Sequence, residues 1–155
     1  MKGNERIIAQ LNLRLAEELT AVNQYMVHAE MCENWRYKKL HEIIFKRSIQ
    51  EMKHAEKLIA RILYLEGIPI VSELNKIHIG GEVPKMHMND HAAEVAAIRG
   101  YNESIRVAVE AGDNGSRELF ESILKDEEEH VDLIEAQIDQ IAQMGAQVYL
   151  AEQID

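Results

Sequence analysis

A chain of 155 residues suits one domain, long enough to bury about two-thirds of its unfolded surface in a single core. Its composition is 46% hydrophobic with only 5% aromatic residues and 2 Pro, which favours packed aliphatic helices over sheets. The formal charge of −10 excludes polyanionic partners such as nucleic acid or an anionic membrane, and the single cysteine, Cys32, excludes an intrachain disulfide or a Cys-ligated iron–sulfur or zinc centre.

No apolar run approaches the roughly 18 residues of a membrane span, and Met1-Lys2-Gly3-Asn4 leads directly into a polar amphipathic pattern, so a cytoplasmic chain is expected. The first helix runs through Ile8, Leu11, Leu15, Glu18, Val22, Tyr25 and Ala29, an apolar stripe interrupted by one glutamate. The second carries Ile44, Ser48, Glu51, Ala55, Leu58, Ile62 and Leu65 and stops at Gly67, with Pro69 just beyond. From Ile68 to Val83 there is no sustained helical period, and the pair Gly80-Gly81 lies within it. This segment is too long for an ordinary helical hairpin loop and is predicted to be a crossover. After Pro84 a third helix places Glu94, Ile98, Tyr101, Ile105 and Ala108 on one face and stops near Gly112-Asp113-Asn114-Gly115. Ser116 is read as the N-cap of a fourth helix, with Glu118 in its first turn and Phe120, Ile123, Glu127, His130, Ile134 and Ile141 on its stripe until Gly145. Residues 146–155 leave room for a short C-terminal fifth helix. The expectation is an all-α single domain over 1–155, a ferritin-like four-helix bundle with one long crossover between helices two and three.

The chemistry lies in Glu51-Met52-Lys53-His54 and Glu127-Glu128-Glu129-His130. Glu-x-x-His puts a carboxylate and an imidazole one turn apart on the same helix face, where both can grip one ion. Alone the motif is weak: with 21 glutamates in 155 residues, about one of the seven histidines should have Glu three positions earlier by chance. The argument tightens because both pairs fall on apolar stripes and the other two stripes each carry one Glu. Glu18 to Glu94 is an offset of 76, and the same offset takes Tyr25 to Tyr101, Glu51 to Glu127 and His54 to His130. The two helical hairpins therefore form an internal repeat about a pseudo-twofold axis. Ionised carboxylates stay buried only when paired or metal-bound, so the four glutamates need cations. Four carboxylates and two neutral imidazoles sum to −4, which two divalent ions balance. One Glu from each of two helices and Glu-x-x-His from the other two is the ligand set of di-iron and di-manganese carboxylate bundles. Oxygen-rich ligation with one imidazole per metal suits iron or manganese, and redox chemistry favours iron. Glu18 and His54 are assigned to one metal, Glu94 and His130 to the other, and Glu51 and Glu127 to both as bridges.

Over essentially its whole length the sequence resembles bacterioferritin, the haem-binding branch of the ferritin superfamily. The resemblance is carried by Met1-Lys2-Gly3, Asn23-Gln24-Tyr25, Glu51-Met52-Lys53-His54-Ala55, Arg61-Ile62-Leu63-Tyr64-Leu65-Glu66-Gly67 and Asp126-Glu127-Glu128. It implies a homo-oligomeric cage of twenty-four subunits built from twofold haem-bridged dimers. In those dimers Met52 of each subunit would be an axial ligand of haem b, one haem per two subunits. Position 52 suits that role, since it lies about 100° round the helix from Glu51 and so off the metal stripe. The resemblance also implies two iron ions per subunit and a small iron–sulfur ferredoxin as partner for iron release. Some members carry a histidine and an aspartate on the cavity side of helix two that bind a further iron. Lys46 and Gln50 stand there in this chain, so that inner site is not expected.

The function expected is iron storage and detoxification, with Fe²⁺ oxidised by O₂ or H₂O₂ at the intra-subunit centre and the ferric mineral deposited inside the cage. Tyr25, on the Glu18 stripe, either bonds a ligand carboxylate or supplies an electron to the oxidant; core packing is the alternative for it and for Tyr101. Histidines 28, 41, 78, 87 and 91 are assigned solvated or capping roles, and Cys32 an inert one. Competing functions are a non-catalytic haem-binding or structural cage subunit and a DNA-protecting mini-ferritin, whose metal site would lie between subunits. A rubrerythrin-type peroxidase would need a four-cysteine iron module, which one Cys excludes.

Overall fold

The computed structural model describes residues 1–155 and is all-helical. The elements are α1 (Glu5–Asn34), α2 (Lys38–Tyr64), α3 (Val83–Ala111), α4 (Asn114–Met144) and a short α5 (Ala146–Ala151). Two tight hairpins, α1–α2 and α3–α4, are joined by the long crossover that follows Tyr64, giving a four-helix bundle with an appended fifth helix. No helix is long and apolar enough to cross a membrane.

The helix boundaries follow from local chemistry. Asn4 caps α1 by accepting from Arg6 N at 2.8 Å. Pro84 sits in the first turn of α3, and Gly112 ends it in the left-handed region at φ 68°, where a Cβ would be strained. The N-cap of α4 is Asp113 and not Ser116. Asp113 Oδ1 accepts from Ser116 N at 3.0 Å and its Oδ2 from Ser116 Oγ at 2.7 Å, so the expected cap is the residue being capped. Arg61 of α2 also donates to Asp113 Oδ1 at 2.8 Å, tying the second hairpin's turn to the first hairpin.

Every stripe residue of α2 from Ile44 to Leu65 is buried. On α1 and α3 the buried line is rotated by one position in places. Ile7, Ala21, Ala97 and Ser104 are buried, while Ile8, Val22, Ile98 and Ile105 lie half-buried beside them. The rotation reflects burial shared between two neighbours, since α1 packs on both α2 and α3, and α3 on both α1 and α4.

The apolar core is in two parts. One cluster holds Ile7, Leu11, Leu15, Leu58, Ile62, Tyr101 and Phe120 among its 13 buried members, and the other holds Ala21, Tyr25, Ala29, Ile44, Met86 and Tyr149 among its 9. On α1 the first part ends at Leu15 and the second begins at Ala21. Glu18 lies between them, and the corresponding gaps on the other helices hold the remaining titratable residues. A polar layer is thus enclosed at mid-height between two apolar plugs.

The crossover has no regular structure, and α1 satisfies its backbone with side chains spaced along one face. Ile70 N donates to Asn12 Oδ1 at 2.9 Å, Asn75 N to Thr20 Oγ at 2.8 Å, His78 N to Gln24 Oε1 at 3.0 Å, and Gly80 N to His28 Nε2 at 2.9 Å. His28 is consequently neither solvated nor a cap. Its Nδ1–H donates to Asp90 Oδ1 at 2.9 Å, and all of its surface is buried. Gln24 and Arg47 complete the set around Asp90 at 2.8 and 3.2 Å. His87 is buried too, within 3.0 Å of the Tyr149 hydroxyl that anchors α5. Both corrections have one cause: polar partners supplied by other helices, which no single-helix pattern reveals. An Asp90→Ala protein should lose about 3–5 kcal/mol, because Arg47 and His28 would remain buried without their acceptor. Its guanidinium unfolding midpoint should fall while the helical circular dichroism of the folded state is kept.

Candidate metal centre

Each helix of the bundle brings its interrupting residues to the same level. Glu18 comes from α1, Glu51 and His54 from α2, Glu94 from α3, Glu127 and His130 from α4, and none is more than 3% exposed. They form two overlapping groups. Glu18, Glu51, His54 and Glu127 place one ligand atom each within 4.8 Å of one another, and so do Glu51, Glu94, Glu127 and His130. Glu51 and Glu127 belong to both groups, the arrangement required of residues that span two ions.

His54 Nδ1 lies 3.0 Å from Glu127 Oε1, 3.2 Å from Glu51 Oε1 and 3.4 Å from Glu18 Oε2. His130 Nδ1 lies 3.1 Å from Glu94 Oε1 and 3.3 Å from Glu51 Oε1. The far sides of the rings are held from outside the cluster. His54 Nε2 is 2.9 Å from Asp126 Oδ2 and His130 Nε2 is 3.0 Å from Gln50 Oε1. Both outer atoms are acceptors, so each Nε2 donates outward, while each Nδ1 faces the carboxylates of the cluster, His130 Nδ1 donating to Glu94 Oε1; an ion bound at the centre would take the place of the Nδ1 hydrogen.

The tyrosines cross over. Tyr25 of α1 donates to Glu94 Oε1 at 2.6 Å, and Tyr101 of α3 donates to Glu18 Oε1 at 2.5 Å. Burial, followed by the charges of Glu94 and Glu18 respectively, raises both phenols well above 10, so they stay O–H donors. Of the two roles expected for Tyr25, the structure displays the bond to a carboxylate, although the one it bonds sits on α3 and not on its own helix.

Electrostatics show a site short of cations. Glu51 and Glu127 are raised well above the ordinary carboxylate range, first by burial and then by neighbouring carboxylates, Glu18 foremost. Burial also opposes charge on Glu94, but the hydrogen bond from His130 and others bring it below its ordinary value. Burial would lower His54, yet Glu127 and Glu18 outweigh it and push it up to about 11. Glu18 Oε2, Glu51 Oε1, His54 Nδ1, Glu94 Oε2 and both oxygens of Glu127 have no hydrogen-bond partner. Buried atoms of this kind are costly unless something binds them, and all are hard oxygen or imidazole nitrogen donors facing one space. The residues fit two divalent transition-metal ions with mixed O/N ligation.

A cavity of about 450 Å³, walled in part by Glu17, Asn75, His78 and Asn89, touches Glu18, Glu51, Glu94 and Glu127. Burial, and after it the opposing charge of Arg14, leave Glu17 raised to about 7 at this wall.

Sequence reasoning missed the outer partners. Asp126 enters the sequence pattern only within Asp126-Glu127-Glu128, and Gln50 only as a departure from an inner-surface iron site. The signal was present, because Asp126 follows Gln50 by the same offset of 76 that relates the ligands. Met52 is 42% exposed on α2, while Glu51 before it and His54 two positions on are buried. Cys32 is buried and its thiol is raised to about 11, first by burial, which suits an inert residue.

Comparison with known proteins agrees with this architecture. The ferritin-like domain family matches residues 8–144. Bacterioferritin of Rhodobacter capsulatus is 43% identical over 148 residues, 95% of this chain and 91% of that protein. Bacterioferritin of Brucella melitensis is 39% identical over 149 residues, 96% and 92% of the two chains, and that of Streptomyces coelicolor is 38% identical over 155 residues, 100% and 93%. Similarity at this level across nearly the full length of both chains, on a bundle with the ligand-bearing layer just described, places the chain in the bacterioferritin family of ferritin-like proteins.

Proposed function

We propose that this chain stores iron, oxidising Fe²⁺ at the intra-subunit centre and depositing the ferric product inside a cage of twenty-four copies. The observation that carries the reading is the pair of overlapping four-residue groups whose facing donors have no partner within the protein. Fe²⁺ is the substrate. Two Fe²⁺ each give up one electron, either to O₂, which takes two protons and leaves as H₂O₂, or to H₂O₂, which takes two protons and leaves as two waters.

The residues divide the work. Glu18 with His54 and Glu94 with His130 supply the separate ligands, and Glu51 and Glu127 bridge. Each tyrosine occupies one oxygen of Glu94 or Glu18 and leaves the other, Oε2, without a partner in the protein and so available to an ion. Asp126 and Gln50 hold the imidazoles in the tautomer that presents Nδ1. The two apolar plugs close the bundle above and below the centre, leaving the cavity walled by Glu17, Asn75, His78 and Asn89 as its opening.

Met52 fits a haem axial ligand. Its thioether is exposed on the outside of α2, and one chain offers a single such group there, so a haem held by two thioethers requires a second copy. Such a haem would supply electron transfer for reductive iron release, with a small iron–sulfur ferredoxin as donor.

Anaerobic Fe²⁺ titration of the assembled apoprotein tests the centre: two Fe²⁺ should bind tightly per subunit, and admission of O₂ should oxidise both rapidly. Binding of fewer than two would refute the assignment. In the haem-loaded protein, half a haem per subunit is expected by absorbance, and Met52→Leu should abolish it; a Met52→Leu protein that keeps its haem has another ligand.

A further inference from the structure

The pseudo-twofold axis relates five pairs of residues around the centre: Glu18 with Glu94, Tyr25 with Tyr101, Glu51 with Glu127, His54 with His130, and Gln50 with Asp126. Four pairs are identical. The fifth is the one that contacts the ligand imidazoles from behind, and there an anion on one side faces a neutral amide on the other. The geometry stays symmetric, at 2.9 Å for His54 to Asp126 and 3.0 Å for His130 to Gln50. Only the charge differs.

We propose that this substitution makes the two metal positions unequal, the position of Glu18 and His54 being filled first because Asp126 backs its imidazole. The inference rests on the assignment of these residues as a two-metal centre. A carboxylate that accepts the Nε2 hydrogen pushes electron density onto Nδ1 and makes the imidazole a stronger ligand. The amide oxygen of Gln50 does so more weakly, and it adds no negative charge to offset that of an arriving cation.

Other nearby charges do not restore the balance. Arg47 lies over the Tyr25 ring at 5.0 Å and Arg14 over the Tyr101 ring at 5.9 Å, one buried guanidinium per side. Each has its own carboxylate, Asp90 at 3.2 Å for Arg47 and Glu17 at 3.1 Å for Arg14. Asp126 is 38% exposed, so solvent screens much of its long-range field. The effect is carried by the hydrogen bond itself, and about ten-fold in affinity, the low end for such outer partners, is expected.

The experiment is calorimetric titration of the assembled apoprotein with Zn²⁺, which is redox-inert, together with anomalous diffraction from crystals supplied with one Zn²⁺ per subunit. Wild type should bind in two steps about ten-fold apart, with the anomalous peak between Glu18 and His54. Asp126→Asn should weaken the first step about ten-fold and merge the two. Gln50→Asp should tighten the second step toward the first, and it decides the matter if Asp126→Asn fails to assemble. Two equal steps with equal peaks in wild type, or a separation unmoved by either variant, overturn the inequality while leaving the metal centre standing. Absence of Zn²⁺ binding overturns the centre and the inequality together.

Discussion

Replacing Glu127 by Gln should abolish rapid Fe²⁺ oxidation and at the same time raise the melting temperature of the metal-free protein. The amide keeps the shape of the side chain but cannot bridge two cations. Loss of an outer hydrogen-bond partner already costs 10–100-fold at metal centres, so loss of a bridging ligand should cost at least about 100-fold. The stability change has the opposite sign because the wild-type carboxyl is fully buried, both its oxygens lack partners, and its pKa is raised by burial and then by Glu18, Glu51 and Glu94. Gln cannot ionise, so it escapes the repulsion that the carboxylate meets as pH rises and that metal would otherwise neutralise; the gain should therefore be largest at alkaline pH. Stopped-flow absorbance of ferric formation and differential scanning calorimetry of the apoprotein measure the two effects. A slower but more stable protein supports the centre, whereas a variant that oxidises iron at the wild-type rate excludes Glu127 as a bridge. Glu51→Gln should behave alike, since Glu51 belongs to both ligand groups.

Metal and pH should act on stability in a linked way. A carboxyl whose pKa is higher in the fold than in the unfolded chain stabilises fully below its unfolded pKa and loses that contribution as pH rises through the folded value. Glu51 and Glu127 are of this kind, and so is Glu17, raised from 4.5 to about 7. His54 acts in the same sense over a higher window, from its ordinary 6.5 to about 11. Glu94 is lowered, so its contribution is present above the unfolded value of 4.5 and is lost only as pH falls below it. The apoprotein should therefore melt highest near pH 5 and progressively lower toward pH 9. Saturating Zn²⁺ should reverse the trend, because bound cations require the deprotonated ligands and compete with protons for them. At free metal about 100 times Kd each position adds about 2.7 kcal/mol, so two positions add about 5 kcal/mol. For a chain of this size that is a rise of about 10–20 °C at pH 7.5. An apoprotein whose melting temperature climbs from pH 5 to pH 8 would contradict the electrostatic picture, and a chelator-insensitive melting temperature would contradict the metal.

Periodicity alone located all four long helices, because amphipathic stripes of six or seven residues survive small errors of phase. It also placed the six candidate ligands on buried faces, since a glutamate or histidine at a stripe position must enter the core whichever neighbour the helix packs against. The predicted stripes of α2, from Ile44 to Leu65, and of α4, from Phe120 to Ile134, coincide with the buried faces. Those of α1 and α3 were one residue out at Ile8, Val22, Ile98 and Ile105, where the helix shares its burial between two neighbours and the boundary of the buried face is gradual. The cap of α4 lies at Asp113, one turn before the expected Ser116, because both are good caps and only the backbone decides between them.

What the sequence by itself determined was the all-α bundle, its crossover and the level at which carboxylates and imidazoles meet. These depend on local period and on an internal repeat of 76 residues, both properties of one chain read linearly. What only the tertiary structure decided was partnership across helices. It shows that Tyr25 serves Glu94 and not the glutamate of its own stripe, that His28 and His87 are buried in hydrogen-bonded networks, and that Asp126 and Gln50 stand behind the ligand imidazoles. The reason is that a helix fixes which residues share a face but not what the face meets. Hydrogen bonds between residues 36 to 83 positions apart are set by how the helices pack, and in this bundle those bonds hold Glu18, Glu94, His54 and His130.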